Sequence, residues 1–253
     1  MQLGMEGLNA MFESVMFDFV GTLVVVAGFS HEKSLEKMHR SLVRDGFNVA
    51  FDRFLEAYEA AYQKYSVIRH REMVEVTNAV WISEALNQVG FGVKPQDAAI
   101  KKAVNIYFRG YLRALKLRPC ATRTLRTLSS RYKVALVSNF TYAPLVYAGL
   151  RKLRLSPYFN AVLVSDEVGW RKPHPKIFEE ALERIGVEAN QTVFVGDSPT
   201  EDIQGARGVG MKAIFIPSPY FTIKDAKNAS PQPDIIIKDT CKLIRALSEL
   251  GEK

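Results

Sequence analysis

The sequence predicts an α/β protein: a doubly wound, Rossmann-like parallel sheet with an all-helical segment inserted into it. Three observations carry this expectation. Six short apolar runs are bounded by turn residues, and their hydrophobicity is continuous rather than alternating, as burial on both faces of a parallel sheet requires. From the second run onward, apolar runs alternate with helical patterns, the signature of a doubly wound sheet. Between the first and second runs, Ser30–Leu117 holds four helical patterns and no convincing strand.

The first run is Ser14–Phe19 (SVMFDF). The inserted helices read as Ser30–Asp45, a second from an N-cap at Asp52 to about Ile68, a third over Val74–Val89 and a fourth over Gln96–Leu117 after Pro95. Phe54, Tyr58, Tyr62 and Tyr65 recur at three- and four-residue steps, a core stripe rather than a nucleobase platform. Arg69, His70 and Arg71 fall between the second and third helices and read as a solvated loop. The remaining strands are Lys133–Ser138, Ala161–Ser165, Thr192–Gly196, Lys212–Ile216 and Asp234–Ile237. Helices are expected at Ala143–Leu153, Lys176–Ile185, Glu201–Gly208 and Cys241–Leu250, and a polar loop with three prolines at Ser218–Pro233. The division that follows is a sheet domain from 14–28 and 116–253, a helical insert 29–115, and an extension 1–13.

Composition narrows the function. A chain of 253 residues with 47% hydrophobic, 24% charged and 11% aromatic residues is neither disordered nor fibrous, and its core needs no disulfide or metal staple. The net charge of +7, from 34 basic and 27 acidic residues, invites a nucleic-acid reading. The excess is spread, however: Gly28–Ala114 holds 13 basic and 10 acidic residues, and no block of five or six like charges occurs. The densest basic run, Lys116–Lys133, is spaced like the solvated face of a helix entering a strand. A small anionic substrate is the better partner, with no nucleic acid. Cys120 and Cys241 lie far apart and outside any CxxC, which excludes a disulfide framework or zinc site as an organising feature and fits a reducing, cytoplasmic compartment. No apolar run reaches a membrane-spanning length, and the opening MQLGMEGLNAMFES lacks the basic-then-apolar pattern of a secretion signal. It reads as a loose extension or an upstream start. Monomer and homodimer are both compatible with the aromatic stripes.

Four segments stand at the carboxyl ends of predicted strands, where open α/β sheets bind their ligands. In Asp18-Phe19-Val20-Gly21-Thr22-Leu23, an Asp ends a buried strand, a costly placement without a partner. It suits a nucleophile or metal ligand; the plain alternative is a helix cap. Ser138-Asn139 offers hydrogen-bond donors to an anion, though both are ordinary turn residues. In the loop Gly169–Phe178, Lys172 is placed to neutralise clustered carboxylates and a phosphate, unless it is a surface lysine; His174 is a weaker candidate acid or ligand. Asp197 ends the Thr192–Gly196 strand and Asp202 sits one turn into the next helix, so two carboxylates near Asp18 would make an oxygen-rich site suited to Mg2+.

In this order, and with a helical insert after the first, the four segments resemble the motifs of the haloacid dehalogenase-like hydrolase superfamily, over Asp18 to about Met211. The insert is similar to the helical cap of its first subfamily, and GDSPTEDIQGARGVGM resembles the fourth motif of its Mg2+-dependent phosphatase branch. The resemblance implies that Asp18 is a nucleophile forming an aspartyl-phosphate. Thr22, Ser138 and the Asn139 backbone would then hold phosphate oxygens, and Lys172 would compensate charge. Asp197 and the Val20 carbonyl would bind Mg2+ beside Asp18, with Asp202 supporting Lys172 or the metal's waters. Hinges would lie near Ala27–Phe29 and Leu115–Arg118.

Val20 departs from the pattern. Family phosphatases usually carry there an Asp that acts as general acid and base, a function worth about 10²–10⁴-fold. With valine, aryl and acyl phosphates should be turned over better than alkyl phosphates. The same residue opens other readings. Haloacid dehalogenases of the family have a non-acidic residue there and need no metal. They also carry an early cap Arg, at a position that falls here on Val49, with Arg44 and Arg53 the nearest basic residues. Their fourth motif differs from Gly196-Asp197-Ser198, which favours the metal-dependent branch. Phosphonate cleavage would need a cap Lys as Schiff base, for which Lys64 is the nearest candidate. A catalytically weak binding or regulatory scaffold is the fourth reading.

Overall fold

The computed structural model describes residues 12–251, so expectations for the extension before Phe12 lie almost wholly outside the described residues. In chain order the elements begin β1 (Ser14–Phe17), β2 (Val24–Val26), α1 (His31–Arg44), α2 (Phe51–Glu72), α3 (Asn78–Gln88), α4 (Ala98–Ala114) and β3 (Leu115–Leu117). They continue with α5 (Ala121–Ser129), β4 (Lys133–Ser138), α6 (Ala143–Lys152), β5 (Ala161–Val164), α7 (Ser165–Val168), α8 (Pro175–Ile185) and β6 (Thr192–Gly196). After a π-helical turn at Pro199–Gln204 come α9 (Gly205–Gly208), β7 (Lys212–Phe215), α10 (Ile223–Lys227), β8 (Ile235–Ile236) and α11 (Leu243–Gly251).

Six strands form one parallel sheet in the order β5-β4-β1-β6-β7-β8. The doubly wound expectation holds. Strand β1 is central, with its last residue Phe17 level with Leu136 of β4 and Val195 of β6, so the three strands end close to one level, at Phe17, Ser138 and Gly196. Apart from Lys133 at the start of β4, their residues are buried because helices cover both faces, one apolar cluster lying on each side. Helices α1 and α4 pack together, as do α2 and α3, and the four occupy the stretch between β2 and β3. Among the described residues no helix is long and apolar enough to cross a membrane.

Several local expectations are corrected. The stretch Ser30–Leu117 does contain a strand: its last residues form β3, which pairs antiparallel with β2 where the chain leaves for the helices and returns. Three residues cannot announce a strand by pattern; the partner nearly a hundred residues away makes it one. Helix α2 starts at Phe51, capped by the Ala50 position without a side-chain bond, so Asp52 is inside the first turn rather than the N-cap. There its charge still favours the helix dipole. Helix α2 also runs to Glu72, so Arg69, His70 and Arg71 form its last turn and not a loop. The third helix begins at Asn78, because Val74 is extended and bridges Trp170. The loop Ser218–Pro233 contains α10, started by a reciprocal capping box between Thr222 and Asp225.

The cysteines are joined: Cys120 and Cys241 form a disulfide with Cα atoms 5.2 Å apart across a sequence separation of 121. Spacing gave no reason to pair them. Packing does, because α5 lies against the turn before α11, and Thr124 Oγ1 donates to the Thr240 carbonyl at 3.1 Å. A crosslink closing so long a loop removes unfolded-chain entropy and contributes about 2–4 kcal/mol. Reduction, or Cys241→Ser, is therefore expected to lower the melting temperature by roughly 5–15 °C in calorimetry; an unchanged transition would contradict a stabilising crosslink.

Candidate active site

Because β1, β4 and β6 end level, the residues that follow them converge. Asp18 follows β1 and its N–H donates to the Val195 carbonyl at 3.0 Å. Ser138 ends β4, with Asn139 after it, and Asp197 follows β6. The loop after α7 brings in Lys172, anchored through its backbone: its N–H donates to Asn139 Oδ1 at 2.8 Å, and Asn139 Nδ2 donates to its carbonyl at 2.9 Å.

The Lys172 ammonium is fully buried and uses all three donors. It donates to Asp18 Oδ1 at 2.9 Å, Asp202 Oδ1 at 2.7 Å and the Val137 carbonyl at 2.8 Å. Asp202 Oδ2 in turn accepts the N–H groups of Asp197 and Ser198 at 3.0 and 2.9 Å. Asp197 accepts from Thr22 Oγ1 at 3.3 Å. Oxygens of Asp18, Asp197 and Asp202 lie within 4.8 Å of one another. If all three are ionised against one ammonium, the cluster carries −2. Asp18 Oδ2 is buried without a partner.

Two glycines make room for this crowding. Gly21 has φ +103°, and a Cβ there would lie 2.2 Å from Asp197 Oδ2. At Gly196 a Cβ would lie 2.3 Å from the Asp202 Cβ. Electrostatics follow from the packing. Burial opposes the charge on Lys172, but Asp18 and Asp202 outweigh it and hold its pKa above the usual lysine range. Burial, then the neighbouring carboxylates Asp18 and Asp202, push Asp197 up to about 8. Burial also raises Asp202, to about 7, with Lys172 holding it back.

Of the residues singled out by sequence, Asp18, Thr22, Lys172, Asp197 and Asp202 are in direct contact as described, and Asn139 bonds the Lys172 backbone. Ser138 is buried next to the Val137 carbonyl that Lys172 binds. Val20 is half-buried and packs against the apolar core. His174 is a helix cap: its Nδ1 accepts from the Lys176 N–H at 3.2 Å and its ring stacks on Trp170. Lys64 pairs with Glu84 at 2.8 Å on the surface of α2 and α3.

Sequence reasoning missed Glu75. Its buried carboxylate binds Arg69 of α2 at 2.7 Å and Arg171 at 3.1 Å, and accepts from Ser165. Arg171 also pairs with Glu201 at 3.1 Å. Backbone bonds run alongside, from Glu75 N–H to the Gly169 carbonyl and from Arg171 N–H to the Met73 carbonyl, both 2.8 Å. The inserted helices are thus tied to the residue before Lys172 and the residue before Asp202. The alternation Val74-Glu75-Val76-Thr77 was the available signal of an extended segment with one side buried. A cavity of about 860 Å³ lies between the helices and the loop Asn139–Thr141, with Tyr107, Tyr111 and Trp81 among its walls.

The family model for haloacid dehalogenase-like hydrolases matches residues 12–210. A protein named glyceraldehyde 3-phosphate phosphatase from Methanopyrus kandleri is 27% identical over 247 residues, spanning 96% of this chain and 100% of that one. One of the same name from Methanothermobacter thermautotrophicus is 31% identical over 209 residues, 82% of this chain and 87% of that one. Among solved structures, a 2-haloacid dehalogenase from Pseudomonas syringae pv. Tomato DC3000 shares the fold with a TM-score of 0.68 at 23% identity, covering 95% of this chain and 100% of that one. The chain belongs to the haloacid dehalogenase-like hydrolase family.

Two expectations follow from the geometry. The folded protein holds protons on Asp197 and Asp202 at pH values where unfolded carboxylates, near 3.8, have lost them. That stabilisation is complete below pH 4 and is lost as pH rises through about 7–8. In chelator, the melting temperature is expected to fall between pH 5 and 8.5; a flat or rising profile would contradict the raised pKa values. Separately, Glu75→Ala strands the buried Arg69 guanidinium and leaves Arg171 with Glu201 alone, and is expected to cost about 3–5 kcal/mol in denaturant unfolding. A loss below about 1 kcal/mol would show the contact to be dispensable.

Proposed function

We propose that this chain is a phosphatase: it hydrolyses monoesters of small phosphorylated compounds by passing the phosphoryl group through Asp18. The carrying observation is the Asp18 carboxylate, one oxygen fixed by Lys172 and the other buried without a partner. The names of the two relatives support a phosphorylated substrate.

The residues also fit Mg2+. Three buried carboxylates around one ammonium offer more negative charge than it offsets once they are ionised, with one oxygen orphaned, and hard oxygen ligands are what this ion takes. Asp18, Asp197 and the Val20 backbone carbonyl would hold it, with Asp202 behind them. When bound, it neutralises the carboxylates and polarises the phosphoryl group.

The chain's own groups do the rest. Lys172 fixes one oxygen of Asp18 in place and offsets charge on the transferred group, while Thr22, Ser138 and the Asn139 backbone surround the phosphoryl oxygens. Asp18 attacks phosphorus as the bond to the leaving oxygen breaks; water then cleaves the aspartyl-phosphate, releasing phosphate. Val20 supplies no proton to the leaving oxygen and takes none from the attacking water. Good leaving groups are therefore favoured, and the second step becomes slow. Residues 29–115 serve as a cap over a core of 14–28 and 116–253, with hinges at Ala27–Phe29 and Leu115–Arg118.

Val20 favours one competitor, a haloacid dehalogenase in which Asp18 attacks carbon without metal. That reading leaves the buried carboxylate of Asp197 without a use. The two separate in one comparison. Mg2+-dependent phosphate release from an aryl phosphate, lost in Asp18→Asn, supports the phosphatase; halide release from 2-chloropropionate that persists in EDTA supports the dehalogenase. Activity in neither assay supports a binding scaffold. Val20→Asp is expected to raise alkyl phosphate turnover by about 10²–10⁴-fold, and no gain would remove the missing-acid account.

A further inference from the structure

The cavity beside the site has an uneven charge inventory. Its volume of about 860 Å³ suits the organic part of a substrate, and it reaches the site at Asn139. Two cationic or titratable-to-cation side chains line it, Arg69 and His31. Arg69 is committed: buried, it pairs with Glu75 at 2.7 Å. His31 is engaged as well: it shares a 2.7 Å hydrogen bond with the Tyr107 hydroxyl, and burial lowers its pKa against the opposing pull of Glu59. On the opposite account stand Glu56 and Glu59, one turn apart on α2 and exposed at the cavity wall. Among the described residues neither forms an ion pair.

The walls between these charges are aromatic, with Tyr62, Trp81, Tyr107 and Tyr111 prominent. Aromatic faces beside carboxylates attract cations through ring quadrupole and charge together. A second phosphate or a carboxylate on the leaving group would meet two like charges and no free cation. We infer that the substrate's leaving group carries a cationic nitrogen on an apolar or aromatic body and no second anion. Glu56 and Glu59 are then the specificity-determining residues. This deepens the phosphatase reading and rests on it.

Three aryl phosphates test it: 4-(2-aminoethyl)phenyl, 4-ethylphenyl and 4-(2-carboxyethyl)phenyl phosphate. Two methylenes insulate the phenol from the distal group, so the bond broken is chemically alike and the distal charge is the variable. With Mg2+, kcat/KM is expected to fall in the order ammonium, ethyl, carboxylate, with about tenfold between the extremes at low salt. The Glu56→Gln/Glu59→Gln double variant should bring that ratio toward one. Equal rates, or preference for the carboxylate, would overturn the charge assignment and leave the phosphatase reading standing. A preference that survives the double variant would overturn the assignment to these two residues. Hydrolysis of none of the three by folded protein would overturn the phosphatase reading and this inference together.

Discussion

The Lys172 ammonium, buried and shared between Asp18 and Asp202, is the interaction on which the site depends. Taking a charge out of water is costly unless every donor is satisfied and opposite charge is adjacent. Here both conditions are met, by two carboxylates and one strand carbonyl. The lysine in turn makes the carboxylates tolerable: without it, Asp18, Asp197 and Asp202 would face each other in a low-dielectric pocket. The sheet supplies the rest, since three strands that end level deliver three side chains to one point. Gly21 and Gly196 are required because the carboxylates occupy the space a Cβ would take.

A second buried ionic centre repeats this logic at the junction with the helices. Glu75 is held by Arg69 on its own side and by Arg171 on the other. Arg171 and Lys172 are consecutive, as are Glu201 and Asp202, so the two centres share a backbone. The contacts that tie the helices to the sheet at Glu75 therefore adjoin Lys172 in the chain. Arg69, which lines the cavity, belongs to the same ionic centre.

The chemistry-bearing residues were legible because they violate a local rule. An Asp at the end of a continuous apolar strand is expensive, and Asp18 and Asp197 both stand there. Lys172 and Asp202 became readable once those two were placed. The fold was legible for a similar reason, since strands buried on both faces cannot alternate. What escaped has distant causes. Strand β3 exists only because β2 lies beside it, Glu75 finds Arg171 across 96 positions, and Cys120 meets Cys241 only when α5 packs on the turn before α11. The start of α2 was misread at Asp52 because capping residues are interchangeable with first-turn acids in a single sequence.

In the proposed reaction Asp18 carries the phosphoryl group and Val20 leaves the second step without a base. Acid-quenching the protein during steady-state turnover of an aryl phosphate with Mg2+, followed by peptide mass spectrometry, tests both halves. The peptide containing Asp18 is expected to gain the mass of one phosphoryl group, at substantial occupancy, and less of it in Val20→Asp. Sustained turnover with no such increment, or with the increment on another peptide, would contradict it.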